Sequence, residues 1–124
     1  MAKVKYQSTV VKIGSAAQEF INEGILVFFG MGAPEELAEI AILHEHDQLV
    51  EKVVAGDTLV IDDNSIPILS IGEVANENLA NLGHFVVKFN GLSEPEMPGD
   101  ISVSSSAPRP DVKLGTVIKI LSES

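Results

Sequence analysis

The hydrophobic positions of the chain fall in short runs that Gly and Pro interrupt at close intervals. Val4 to Ile13 is rich in β-branched residues, partly alternates and stops at Gly14, which is typical of a strand. The runs 58–61 and 65–71 flank a short polar segment and predict a hairpin. Further runs of strand length are 25–29, 85–89, 101–104 and 116–121.

Helical patterns are few and short. One fits between Ser15 and Gly24 and another over 76–82, where Asn76 is the expected N-cap and Gly83 the expected stop. We see no internal repeat and no domain linker. The pattern predicts a mainly β chain, a single compact β-barrel or sandwich-like domain over residues 1–124 with one to three short helices.

The chain has only three histidines, and two of them, His44 and His46, stand one residue apart. Imidazole offers a proton, a nucleophilic nitrogen and a metal-binding lone pair near neutral pH. Such a pair therefore points to phosphoryl transfer or to metal binding. The third histidine, His84, follows Gly83, where its ordinary interpretation is the first residue of a strand.

The segment that carries the pair permits two foldings. Pro34 and the acids after it favour a helix start. If that helix ran on to Val54, His44 and His46 would point roughly 200° apart and could hardly serve one site. If it ended early and 40–46 were a strand, both imidazoles would share a face, roughly 6.6 Å apart.

The strand alternative also changes where the acidic side chains next to the histidines point. It would turn Glu45 and Asp47 to the opposite face from the histidines. Residues 35–51 carry six acids and neither Lys nor Arg. Carboxylates beside an imidazole keep its nitrogens protonated and repel an incoming phosphate. A phosphoryl site therefore needs the strand, which periodicity alone does not establish.

Composition narrows the class of protein. With 18 acidic and 8 basic residues among 124, the formal charge is −10, which disfavours nucleic acid and anionic membrane surfaces. The absence of cysteine excludes disulfides and thiol nucleophiles. No apolar run is long enough for direct membrane insertion, so we expect a cytoplasmic location.

Several short stretches, taken in order, resemble one known family. They are Tyr6-Gln7-Ser8-Thr9, Gly32-Ala33-Pro34-Glu35-Glu36-Leu37, the His44-x-His46 pair, Ile71-Gly72-Glu73-Val74-Ala75, Leu82-Gly83-His84, Phe89-Asn90-Gly91-Leu92-Ser93-Glu94 and Pro98-Gly99. Their order and spacing over nearly the whole chain resemble the glucitol/sorbitol-specific IIA component of the bacterial phosphoenolpyruvate-dependent sugar phosphotransferase system (PTS).

The resemblance implies a phosphotransferase component with a phosphohistidine intermediate. In this family the IIA protein accepts a phosphoryl group from HPr and passes it to the IIB domain of a polyol permease. The histidine that matches the family's phosphoacceptor is His44, with its remote ring nitrogen as the expected nucleophile. The resemblance implies no metal and no other cofactor, and the sequence holds no phosphate-binding loop.

His46 and His84 are then candidates for supporting roles, as donors to phosphoryl oxygens or as groups that orient the His44 ring. We also expect a partner interface around His44 with an apolar centre to which Ile42 and Leu43 contribute. The alternative from another class is a small zinc-binding β domain that uses His44 and His46 as ligands.

Overall fold

The structure is a computed structural model that describes residues 3–45 and 47–122. Its strands are β1 (Val4–Ile13), β2 (Ile25–Gly30), β3 (Ile42–His44), β4 (Thr58–Ile61), β5 (Asn64–Ile71), β6 (Phe85–Lys88), β7 (Asp100–Val103) and β8 (Val117–Leu121). Each strand predicted from the runs of apolar residues is present, with ends that differ by no more than one residue. The hairpin prediction is confirmed, because β4 and β5 pair antiparallel.

Three short helices complete the fold: α1 (Ala17–Asn22), α2 (Glu35–Ala38) and α3 (Ala75–Leu82). In the ranges described, no helix has the length and apolar character needed to cross a membrane. The stop predicted at Gly83 is confirmed, since this residue ends α3 with a left-handed φ of 67°, which glycine adopts without steric cost.

The cap predicted at Asn76 is wrong. Helix α3 begins one residue earlier, after Val74. The Asn76 amide instead accepts a hydrogen bond from the Val53 N–H at 2.7 Å and donates one to the Val53 carbonyl at 2.9 Å. The side chain that the local pattern predicts as the N-cap of α3 is therefore used in a tertiary contact instead.

The eight strands close into a barrel in the order β1-β3-β2-β6-β7-β5-β4-β8. Two neighbouring pairs, β2 with β3 and β6 with β7, are parallel, and the other pairs are antiparallel. The mainly β prediction with one to three short helices is therefore confirmed, and the barrel is the form it takes.

The wall of the barrel separates two apolar clusters. The larger one fills the interior and includes Phe28, Ile42 and Phe85. A smaller one lies on the outer side, where Phe29 and Leu43 meet residues next to α2. Because successive strand residues point to opposite faces, β2 and β3 each contribute to both clusters.

Of the two foldings considered for the segment after Pro34, the structure shows the early stop. Helix α2 ends at Ala38, and β3 begins at Ile42 beside β1 and β2. The strand is shorter than predicted, because the backbone N–H of Ala41 still bonds back to the carbonyl of Ala38. His44 is consequently the last residue of β3.

Candidate functional site

His44 points into one end of the barrel interior. Its side chain is fully buried, with 0 % of its surface exposed. Three aromatic rings meet the imidazole edge-on, with centroid separations of 6.0 Å for Tyr6, 6.1 Å for Phe28 and 6.1 Å for Phe85. These rings come from β1, β2 and β6, so the strand order of the barrel builds the pocket.

Oxygen atoms hold both nitrogens of the His44 ring. Nδ1 lies 2.8 Å from the hydroxyl oxygen of Ser8, and Nε2 lies 2.7 Å from the carbonyl oxygen of Gly83. A carbonyl can only accept, so Nε2 carries a hydrogen in this arrangement. The Ser8 hydroxyl in turn donates to the carbonyl of Glu45. The ring is therefore fixed in orientation on both edges.

Sequence reasoning assigned no site role to Ser8 or Gly83, although both lie in stretches that carried the family resemblance. Ser8 reaches His44 because β1 pairs antiparallel with β3, with Val10 opposite His44. The Gly83 carbonyl reaches it because the left-handed turn after α3 redirects the chain into β6. Both contacts join residues that are far apart in the sequence, so a local sequence pattern does not predict them.

A surface cleft of about 450 Å³ lies beside this ring. It is lined by residues of β1 and of the segment after β3: Val4, Tyr6, Gln7, Ser8, Thr9, Glu45, Asp47, Gln48 and Val50. Ser8 is 5 % exposed. Its hydroxyl therefore links the wall of the cleft to the buried imidazole.

Two acids line the same cleft. Glu45 and Asp47 are exposed there, whereas we expected both to turn away from the site. The strand that would have turned them away ends at His44, so strand alternation does not fix the direction of either side chain. The approach to the ring is consequently acidic and favours a partner that brings positive charge.

The Tyr6 hydroxyl belongs to this environment as well. It accepts a hydrogen bond from the backbone N–H of Asp47 at 3.3 Å. Burial raises the pKa of the Tyr6 phenol above its usual value, more than its hydrogen bonds lower it. Tyr6 is therefore a neutral neighbour of His44 at physiological pH.

The structure does not bring the ring of His84 to the ring of His44. His84 lies on the outer side of the wall, where it stacks on Phe29 with centroids 4.5 Å apart. Its Nδ1 is 3.0 Å from the carbonyl oxygen of Phe28 and must donate to it. His84 is half-buried, and its neighbour Gly83 is the connection between the two histidines.

The zinc alternative finds little support in the described part of the chain. There, no three His, Cys, Asp or Glu side chains come together in a group that could hold a metal ion. Both nitrogens of His44 already face oxygen atoms. The second proposed ligand, His46, lies outside the described residues.

The expected apolar contributors to a partner interface are wrong. Ile42 is 0 % exposed and packs in the interior, and Leu43 is 4 % exposed beneath the outer cluster. Neither is available to a partner. The apolar side chains that do border the cleft and remain exposed are Val4 and Val50.

Comparison with known proteins confirms the resemblance. The family model for the PTS glucitol/sorbitol-specific IIA component matches residues 5–119. The PTS glucitol/sorbitol-specific EIIA components of Shigella flexneri and Escherichia coli (strain K12) are each 34% identical over 116 residues, which covers 94% of this chain and 94% of theirs. The crystal structure of a PTS IIA component from Enterococcus faecalis V583 superposes with a TM-score of 0.77 at 26% identity, over 91% of this chain and 97% of that one.

These matches extend over nearly the whole chain, and all of them are to PTS IIA components. PTS IIA components are phosphotransferase components that transfer phosphoryl groups through a histidine. The chain belongs to the glucitol/sorbitol-specific IIA component family of the phosphotransferase system.

Proposed function

We propose that His44 is the residue that carries the phosphoryl group. It accepts the group from the phosphohistidine of HPr and passes it to the IIB domain of a polyol permease, in the cytoplasm. The observation that carries this assignment is the fixation of the His44 ring by Ser8 on one edge and Gly83 on the other. Phosphoryl transfer depends mainly on positioning, and a fixed imidazole meets that need.

The burial of His44 adds a step to the reaction. A fully buried ring cannot meet the histidine of another protein, so the ring must move or the cleft must open when the partner docks. The hydrogen bond from Nε2 to Gly83 must break in that step, because Nε2 is the nitrogen expected to receive the phosphorus. The acids at the cleft favour donors and acceptors that have Lys or Arg near their own reactive group.

Supporting roles follow for the other two histidines. His84 acts on His44 through the backbone, because its own ring anchors the chain next to the Gly83 carbonyl. His46 is one residue beyond Glu45, whose carbonyl accepts from Ser8, and we keep it as a candidate donor to the phosphoryl oxygens.

The test uses purified protein with phosphoenolpyruvate, enzyme I and HPr. The label to follow is phosphate that is labile in acid and stable in alkali. We expect the label to be lost in His44→Gln and kept in His46→Gln and His84→Gln. His84 is the matched control, because it is more exposed than His44 and one of its ring nitrogens also donates to a backbone carbonyl.

Two outcomes would contradict the assignment. Label that persists in His44→Gln and disappears in His84→Gln would move the phosphoacceptor to the outer face of the barrel. Stoichiometric zinc in a wild-type protein that takes up no label would favour the metal-binding alternative. In either experiment the fold of each variant is checked by its thermal unfolding.

A further inference from the structure

Ser8 is a buried serine on the inner face of β1. It points inward from β1, between Tyr6 and Val10, which both belong to the interior cluster. A hydroxyl in an apolar interior is costly unless hydrogen bonds satisfy it. Its hydrogen-bond partners here include the His44 Nδ1, the Glu45 carbonyl and the Tyr6 hydroxyl.

The hydrogens on these contacts can be counted. Gly83 and Glu45 offer carbonyl oxygens, which only accept. If Ser8 donates to Glu45, its oxygen faces Nδ1 with a lone pair, so Nδ1 must carry a hydrogen to bond it. With Nε2 donating to Gly83, the ring then holds both protons and has no lone pair for attack.

Which of the two ring nitrogens of His44 loses its hydrogen decides which one becomes the nucleophile. If Nε2 loses its hydrogen and leaves Gly83, the chain from Nδ1 through Ser8 to Glu45 stays intact and the lone pair is on Nε2. If Nδ1 loses its hydrogen, its lone pair meets Ser8, which must then turn away from Glu45. Each route gives up one contact with a carbonyl and keeps two hydrogen bonds, but only the first keeps the bond from Ser8 to Glu45 and puts the lone pair on Nε2, the nitrogen proposed to receive the phosphorus.

We infer that Ser8 is a positioning residue that keeps a proton on Nδ1 of His44 and so assigns phosphoryl transfer to Nε2. The inference rests on the proposed role of His44. Before the step, Nε2 leaves the Gly83 carbonyl and gives its proton to solvent in the cleft. In the step itself, the Nε2 lone pair forms a bond to phosphorus while the bond from phosphorus to the donor imidazole breaks. The bonding pair returns to that donor nitrogen, and the Nδ1 hydrogen stays on His44, bonded to Ser8.

The test compares Ser8→Ala, which removes the hydroxyl, with Ser8→Thr, which keeps it. Ser65→Ala is the matched control, because Ser65 is also a strand serine but is exposed. Two measurements are made on each protein. Nitrogen-15 NMR of the histidine side chains reports which ring nitrogen holds the proton, and rapid quench reports the rate of phosphoryl uptake from phospho-HPr.

We expect His44 of the wild type to hold a hydrogen on Nδ1, bonded to Ser8, and Ser8→Thr to keep that hydrogen and most of the rate. In Ser8→Ala the proton shifts toward Nε2, and we expect the uptake rate to fall about 10- to 100-fold, the range found when a group that orients a metal-bound imidazole is removed. The phosphorylated wild type should show phosphorus on Nε2.

Several results would overturn the inference. One is an Nδ1 proton that persists in Ser8→Ala, and another is phosphorus on Nδ1 of the wild type. A Ser8→Ala protein that takes up phosphate at the wild-type rate would also refute it. If His44→Gln still takes up label, the proposed function has failed instead, and the NMR measurement still decides whether Ser8 sets the tautomer. Unchanged His84 resonances and the Ser8→Thr rescue separate a positional effect from loss of fold.

Discussion

A buried ion pair fastens the segment after His44 to the first strand. The Lys5 ammonium lies 2.7 Å from Asp57 Oδ2, with side chains 5 % and 2 % exposed. Lys5 also donates to the carbonyl of Lys52 at 2.9 Å, and Asp57 accepts from the N–H of Val54 at 2.9 Å. The pair therefore holds the chain that leads from the cleft into β4.

Replacing Asp57 with Asn keeps the shape and removes the charge. Lys5 then keeps one weaker counter-charge, Glu51 at 3.7 Å, whose side chain is half exposed. Removing one partner of a buried pair costs about 3–5 kcal/mol, because the other charge is left uncompensated. With an unfolding entropy of about 2.1 cal/mol/K per residue, a chain of this length should lose roughly 12–19 °C in Tm.

The assay is urea and thermal unfolding followed by circular dichroism. Lys3→Met is the matched control, because Lys3 forms a pair with Glu51 at 3.0 Å in which both side chains are about half exposed; we expect it to change the free energy of unfolding little. The double variant Lys5→Met/Asp57→Asn buries no charge. It should be distinctly more stable than the sum of its single changes predicts.

The reasoning is refuted if Asp57→Asn is no less stable than Lys3→Met. Strict additivity in the double variant would also count against it, since it would show that the two charges do not interact. Either result would mean that the neighbouring backbone contacts of Lys52 and Val54 hold the segment without the ion pair.

Three further outcomes follow from the site and its surroundings. Tyr6 is the single tyrosine and the chain has no tryptophan, so the absorbance of its phenolate can be followed without overlap. The pKa of the Tyr6 phenol should lie above the usual value near 10. The free energy of unfolding should then fall as pH rises from that value through the raised pKa, and Tyr6→Phe should lose this dependence. Gly72→Ala should be strongly destabilised in urea melts, because a Cβ would lie 2.0 Å from the Pro98 carbonyl oxygen; mild loss would indicate that this loop relaxes. Carbethoxylation mapped by mass spectrometry should modify His84 well before His44, and the reverse order would contradict the buried position of the His44 ring.

Local chemistry made most of the elements predictable. Gly83 ends α3 because no other residue adopts its left-handed φ as easily, and the β-branched run from Val4 forms β1 as expected. Local pattern failed at Asn76, because its side-chain amide bonds to the backbone of Val53, a distant contact that the local sequence does not indicate.

The site was predicted only in part for the same reason. His44 was identified by type and by resemblance, but its burial depends on where β1, β2 and β6 place their rings around it. The contact with Ser8 joins residues 36 positions apart, and the contact with Gly83 joins residues 39 apart. Such pairs are set by barrel closure, which depends on the whole chain.

Barrel closure has a consequence for recognition. In a closed sheet each of the eight described strands has a neighbour on both sides, so none of them is an edge strand along its whole length. The fold therefore offers a visiting protein no full edge strand for strand addition, the mode by which many peptides bind through backbone pairing. Recognition of this barrel is therefore expected to depend mainly on loops and side chains, such as those that line the cleft beside Ser8.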